Sequence, residues 1–393
     1  MFRKTVFWIH LVCGVISGLV IFTMSITGVI LTYERQINAW VAESHYVQDS
    51  DQNDRLSLEQ LVAIREIDFP DVNASQVVVT NHPGAPVQFR AGRRGGVSLN
   101  PYTGMAMETE SESLREFWGT ITGFHRWFDV QGENRAIARQ VTGISNLAFL
   151  FLILSGMYLW LPSIFKWALF KARLLFRPAY NSSKDRDYHW HHIFGIWMAI
   201  PLVFIVYTGA MFNYGWSADL VYSAFGTERA VRGGPGTGRT AMQPGSQARI
   251  GMDTGSANMT ELTSYFQTLD ELVAHVIDSS DVEWNRLTVS LPGEEQEALT
   301  IEVDWGNGAQ AQKRHTLSVD RTSGEVLSLT AYEDRPVASK IQGVTRFGHT
   351  GEMWGFTGQT IAGLASLAAL FMVWTGFALS YRRLIKPLLN KKT

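Results

Sequence analysis

Apolar residues along the chain gather into four long blocks, separated by two polar segments and one short basic one. The blocks at 7–33, 138–162, 188–214 and 357–381 each reach the roughly 20 residues needed to cross a bilayer core of about 30 Å. They predict four transmembrane helices. In the first polar segment, Leu58, Leu61 and Val62 recur at helical spacing over 57–67, which predicts an amphipathic helix. Alternating runs at 76–80, 85–91 and 96–99 predict strands, closed by the turn Asn100-Pro101-Tyr102-Thr103-Gly104. The second polar segment repeats the order: a helix over 259–277, strands at 286–290, 299–304 and 315–319, and the turn Asp320-Arg321-Thr322-Ser323-Gly324. A Gly-rich stretch at 230–256 predicts a surface loop with no chemistry of its own.

The repeat extends beyond order. Gly104 and Gly324 stand at the same separation as Gly143 and Gly363, and as Gly156 and Gly376. His10 with Gly14 and Thr27-Gly28 in the first block match His191 with Gly195 and Thr208-Gly209 in the third. The predicted fold class is therefore a membrane protein, mainly α, internally duplicated, with four transmembrane helices and two small α+β extracytoplasmic domains. The expected boundaries are a cytoplasmic start at 1–6, domain one at 34–113, an interfacial helix at 114–137 and a cytoplasmic loop at 163–187. Domain two follows at 215–340, then an interfacial segment at 341–356 and a tail at 382–393.

Charge sets the expected orientation. Arg3 and Lys4, the basic loop from Lys166 to Arg186, and the tail with Arg382, Arg383, Lys386, Lys391 and Lys392 all fall on one side. By the positive-inside rule both termini are expected in the cytoplasm of a bacterial inner membrane, with the two polar domains outside. The first block is too long for a cleavable signal peptide and no small-residue cleavage site follows it. A net charge of −2 and no basic stripe give no reason to expect a nucleic-acid partner. The single cysteine, Cys13, excludes disulfides and thiol relays within one chain.

Chemistry in this sequence means histidine. His10 and His191 sit at matching ends of the first and third blocks, and His125 and His349 precede the second and fourth. His125 and His349 differ by one helical turn in their distance to the matched glycines, which leaves both facing one way. A pseudo-two-fold axis along the membrane normal would bring His10 opposite His191 and His125 opposite His349. Two stacked imidazole pairs are the pattern of a transmembrane cytochrome with two b-type haems, held without covalent attachment because no CxxCH is present. Gly14, Gly18 and Gly195 would admit the macrocycle, although Gly14 with Gly18 is equally a helix-packing motif. At the inner site His192 competes with His191 as ligand or lies behind it, and His189 is a candidate partner for a propionate. His45, His82, His275 and His315 read as ordinary surface residues of the outer domains.

His191 with Gly195 and Thr208-Gly209, Phe124-His125-Arg126, and Phe347-Gly348-His349-Thr350-Gly351-Glu352 resemble the PepSY-associated transmembrane family, and the two turns resemble the closing strand pair of PepSY domains. The resemblance spans nearly the whole chain. It implies an iron-regulated inner-membrane protein of the ferric-siderophore reductase type, carrying haem b and passing electrons to a ferric chelate in the periplasm. Some members have a fused flavin reductase domain. None is read here, so a separate donor is expected, either quinol or a cytosolic reductase. Two other functions fit the sequence: a PepSY-type binding or regulatory protein without redox activity, and a metal transporter using the four histidines as relays.

Overall fold

The structure, a computed structural model, describes residues 1–47, 54–92, 95–108, 111–162, 166–229, 269–280, 283–291, 298–320 and 323–390. The Gly-rich stretch at 230–256, the first part of the helix expected over 259–277, Arg321, Thr322, Lys391 and Lys392 lie outside the described residues. The chain divides into two units. One is a helical bundle of Met1–Glu34, Glu112–Arg229 and Ile341–Thr393, and the other is an α+β unit of Arg35–Ser111 and Ala230–Lys340.

The bundle contains α1 (Phe2–Leu31), followed after α2 (Glu34–Glu43) and α3 (Leu58–Asp68) of the other unit by α4 (Glu112–Trp127) and α5 (Arg135–Trp160). Then come α6 (Trp167–Leu174), α7 (Ser183–Trp197), α8 (Ala199–Asn213) and α9 (Gly215–Ala224). Beyond α10 (Leu269–Ser280) of the α+β unit and α11 (Val337–Gly343), which runs into the bundle, lie α12 (Gly355–Leu384) and α13 (Lys386–Leu389).

The long helices bury small and polar residues and expose apolar ones. On α1, Ser17, Gly18, Ser25 and Thr27 are buried while Ile16 is 77% exposed. On α12, Gly358, Gln359, Ala365 and Thr375 are buried while Trp374 and Phe356 face outward. Such an inverted pattern belongs to a lipid-facing surface, where small residues let backbones approach and Leu or Ile meets hydrocarbon. Among the described residues three helical stretches are long and apolar enough to cross a membrane: Phe2–Glu43, Gly132–Trp160 and Glu352–Leu389.

The third apolar block, expected as one membrane helix over 188–214, is not a single continuous helix. It is two helices, α7 and α8, meeting at Met198 with a bend of 68°. Pro201 supplies the reason. It has no N–H for the carbonyl of Trp197, and its ring crowds that carbonyl.

The α+β unit corrects the second expectation, because the two polar segments do not form separate small domains. They build one antiparallel sheet of seven strands in the order β3-β2-β1-β4-β5-β6-β7. The strands are β1 (Gln76–Thr80), β2 (Val87–Ala91), β3 (Gly95–Leu99), β4 (Arg286–Ser290), β5 (Ala298–Asp304), β6 (Arg314–Asp320) and β7 (Val326–Thr330). The halves join where β1 pairs β4, in register from Gln76 opposite Ser290 to Thr80 opposite Arg286. Val77, Val79, Phe89, Leu287, Val289 and Ile301 alternate inward onto a core completed by Leu58 and Leu61 of α3 and Leu272 and Val273 of α10. α3 starts at a capping box, with Ser57 and Gln60 satisfying each other's backbone N–H. Residues 215–229, expected in the second domain, pack with the bundle instead.

The two predicted turns share one geometry. Asn100 Oδ1 accepts from Thr103 N–H, and Asp320 Oδ1 from Ser323 N–H. Gly104 and Gly324 donate to the carbonyls of residues 100 and 320, each at φ 71°, a conformation that favours glycine.

Candidate functional site: two histidine pairs

Two pairs of imidazoles face each other inside the bundle. The ring centres of His10 and His191 are 6.4 Å apart, and those of His125 and His349 are also 6.4 Å apart. The first pair lies in the half that carries the chain ends, where Arg3 donates to the carbonyls of Leu159 and Leu161 and Arg383 covers the ring of Phe7. The second pair lies toward the opposite end, on α4 and on a π-helical turn, Val344–Gly348, that ends just before His349. Such turns are uncommon and recur at functional sites.

Each imidazole is held by one Ser or Thr followed by Gly on another helix. His10 Nδ1 meets Ser155 Oγ at 2.8 Å, and His191 Nδ1 meets Thr375 Oγ1 at 3.0 Å. His125 Nδ1 meets Thr27 Oγ1 at 3.0 Å, and His349 Nδ1 meets Thr208 Oγ1 at 3.0 Å. The glycine after each hydroxyl lies under the same ring. A Cβ on Gly156 would stand 3.4 Å from His10 Cε1, and one on Gly376 would stand 3.6 Å from His191 Cε1. The corresponding distances are 3.6 Å for Gly28 and His125, and 3.4 Å for Gly209 and His349.

The hydroxyls fix the tautomer. Each donates its only proton to a carbonyl four residues back in its own helix: Ser155 to Phe151, Thr375 to Phe371, Thr27 to Thr23 and Thr208 to Phe204. A hydroxyl whose proton is committed can only accept, so Nδ1 carries the proton and donates in all four histidines. The carbonyls of Met372 and Ile205 reinforce this at His191 and His349, at 3.1 and 2.9 Å. Nε2 is then left at every ring as a bare lone pair, the form in which imidazole binds metal. An imidazole nitrogen stands about 2 Å from a bound metal. With about 1 Å more to each ring centre, two rings sharing one metal have centres about 6 Å apart, close to both observed separations.

A cavity of about 920 Å³ opens at the first pair. His10, His191 and His192 line it, with Gly14, Gly18, Gly156, Gly195 and Gly376, and Arg3, Lys4, Lys184, Arg382 and Arg383 line it too. All three glycines singled out from the sequence thus reach the cavity, and Gly18 also takes the ring of Phe377 against its backbone.

Among the neighbouring histidines, His191 faces His10. His192 turns back to its own helix, with Nδ1 2.7 Å from the carbonyl of Tyr188 and its ring tilted on that tyrosine. Its ring centre is 6.3 Å from that of His191. His189 does not line the cavity, contrary to the propionate role expected for it. It is buried beside Tyr180, and both its ring nitrogens lack a hydrogen-bond partner among the described residues. Nearby Asp187, buried, ties α7 to α12 through Arg382 at 2.6 Å and also pairs with Arg186.

Sequence 7–383 matches the family described as the PepSY-associated TM region. The chain belongs to that family. No curated relative matches it. Within this PepSY-associated TM protein, Ser155 and Thr375 are the site residues that the sequence reading missed. They immediately precede the matched Gly156 and Gly376, and that position was the available signal.

Proposed function

We propose that this PepSY-associated TM protein is a dihaem electron-transfer protein of the bacterial inner membrane that reduces a ferric chelate, such as a ferric siderophore, in the periplasm. Four spans, an internal duplication and cytoplasmic termini belong to the same proposal, with the bent α7–α8 pair as third span. The observation that carries it is the pair of matched imidazole pairs, each with ring centres 6.4 Å apart and Nδ1 held by a hydroxyl. His10 with His191, and His125 with His349, would each hold one haem b through two imidazoles.

The residues fit such a group in three respects. The hydroxyls hold the imidazoles in one tautomer and one orientation, as outer partners of metal-binding histidines do. The glycines keep side chains out of the space beside each ring. At the first pair Arg3, Lys4, Lys184, Arg382 and Arg383 give the cavity a cationic margin suited to carboxylates. Haem b held by two imidazoles supplies reversible one-electron chemistry. The donor would be quinol or a cytosolic reductase, and the reduced ferrous ion leaves its oxygen-rich chelator more readily than ferric iron does.

Liposomes containing the purified protein test this directly. With dithionite trapped inside and a ferric chelate outside, ferrous iron should appear outside at a rate that His125→Ala abolishes. A rate no higher than that of protein-free liposomes would refute ferric reduction.

A further inference from the structure

Next to His125 in the chain the bundle carries three arginines that have no counter-charge among the described residues. Arg126 ends α4, and Arg135 and Arg139 lie in the first two turns of α5. Among the described residues no carboxylate stands within 4 Å of any of them, although Asp129 and Glu133 are close in sequence. Burial, then Arg139, then Arg135 pull the Arg126 guanidinium below its ordinary value, so the three charges repel one another. α5 adds to the cost, because its first turn has no acidic residue and the Asn134 side chain caps none of its N–H groups. Two cations at a helix N-terminus beside a third is an arrangement that an anion would relieve.

The cluster is also held in place. Arg135 lies 3.9 Å and Arg126 4.9 Å from the centre of the Trp127 ring, so the indole spaces the two guanidiniums. Arg139 is fixed by the side chain of Asn213 and the carbonyl of Phe212, and Thr142 fixes the end of α4 by donating to the carbonyl of Arg126. The side chains of Arg126 and Arg135 make no hydrogen bond within the described residues; Arg135 is exposed, and Arg126 is partly covered but still reaches the surface. Their forks are therefore open to a ligand.

We infer that Arg126, Arg135 and Arg139 bind the carboxylates of an anionic ferric chelate, so that the substrate class is polycarboxylate rather than neutral hydroxamate. The inference rests on the proposed function, and it places the chelate beside the His125–His349 pair. No bond to carbon forms or breaks there: the chelated iron(III) takes up one electron arriving through that site and becomes iron(II). The planar guanidinium fork matches a carboxylate with two parallel hydrogen bonds. A phospholipid phosphate offers similar oxyanion chemistry and is the competing source.

Gallium(III) citrate, which has the charge and shape of a ferric carboxylate chelate but is not reducible under these conditions, separates binding from electron transfer. The full-length protein in neutral detergent should bind it at least tenfold more tightly than a neutral gallium(III) trihydroxamate. Arg135→Gln should weaken citrate binding at least tenfold and Arg135→Lys about threefold, with the haem content of both variants equal to that of the native protein. Equal binding of the two gallium chelates, or unchanged citrate binding by Arg135→Gln, would overturn the inference. So would loss of haem in Arg135→Lys, which would assign the arginines to the cofactor's carboxylates. Binding of phosphatidylglycerol with the same arginine dependence, and none of gallium citrate, would assign them to lipid. Because gallium takes no electron, citrate binding can fail while liposome reduction succeeds, or the reverse.

Discussion

The two histidine pairs are built to one plan from different parts. At the first pair His10 on α1 rests on Ser155-Gly156 of α5, and His191 on α7 rests on Thr375-Gly376 of α12. At the second, His125 on α4 rests on Thr27-Gly28 of α1, and His349 after its π-helical turn rests on Thr208-Gly209 of α8. Helix α1 gives a ring to one pair and a hydroxyl to the other, and so do the joined α7 and α8. What is constant is the hydroxyl and the glycine. What varies is the backbone presenting the imidazole, which shows that the cradle, more than the helix bearing the histidine, defines the site.

A second difference lies in the backbone partners of the rings. His191 and His349 each have a backbone carbonyl besides the hydroxyl, from Met372 and Ile205. His125 has the carbonyl of Met24 beside it as well as Thr27, whereas His10 is oriented through Ser155. His10 should therefore be the most easily misdirected of the four.

The largest expected effects come from the rings themselves. His10→Ala or His191→Ala should remove about one of two haems, and His125→Ala or His349→Ala the other. Difference spectra of each variant would show which site is lost. His192→Ala should keep both, because its ring turns back to Tyr188. Loss of both haems from any one of the four changes would mean that the pairs are not separate sites.

The hydroxyls come next and test the difference between His10 and the other three rings. A buried N–H left without an acceptor costs about 1–3 kcal/mol, and outer partners of metal ligands are typically worth about 10–100-fold in affinity. Ser155→Ala should accordingly weaken haem retention by about tenfold or more. Thr375→Val, Thr208→Val and Thr27→Val should do less, since carbonyls still receive the Nδ1 proton. Haem titration of the four apoproteins checks this, and equal losses in all four would remove the distinction.

The glycines should give the smallest change. A Cβ at Gly156 or Gly376 meets the ring at 3.4 or 3.6 Å, which is ordinary contact or slightly tighter. Gly156→Ala and Gly376→Ala should fold and keep haem, with redox midpoints displaced from the native value. A redox titration that found neither displaced would show that the space beside the rings does not matter.

Much of this arrangement was legible in the sequence because the chain carries its own comparison. Histidine and Thr-Gly recur at matched places in 7–33 and 188–214, and the partner of each ring follows from setting the halves side by side. Ser155 and Thr375 escaped notice because they differ in identity, and a hydroxyl is commonplace in a membrane helix. The bend at Met198 was hidden by apolar length, which says nothing of the hydrogen bond removed by Pro201. The pairing of β1 with β4 joins segments separated along the chain by α5 and the bent α7–α8 pair, and no local pattern encodes such a contact. β7 was not read at all. As an edge strand with Val326, Leu327 and Leu329 exposed, it lacks the in-out alternation that marks a half-buried strand.

The central claim is that each imidazole pair holds one haem, and a pyridine haemochrome assay on the purified protein tests it most directly. The account predicts about two haems b per chain in the native protein and about one in both His10→Ala and His125→Ala. A native protein with no haem, or a single haem that either substitution abolishes, would contradict it.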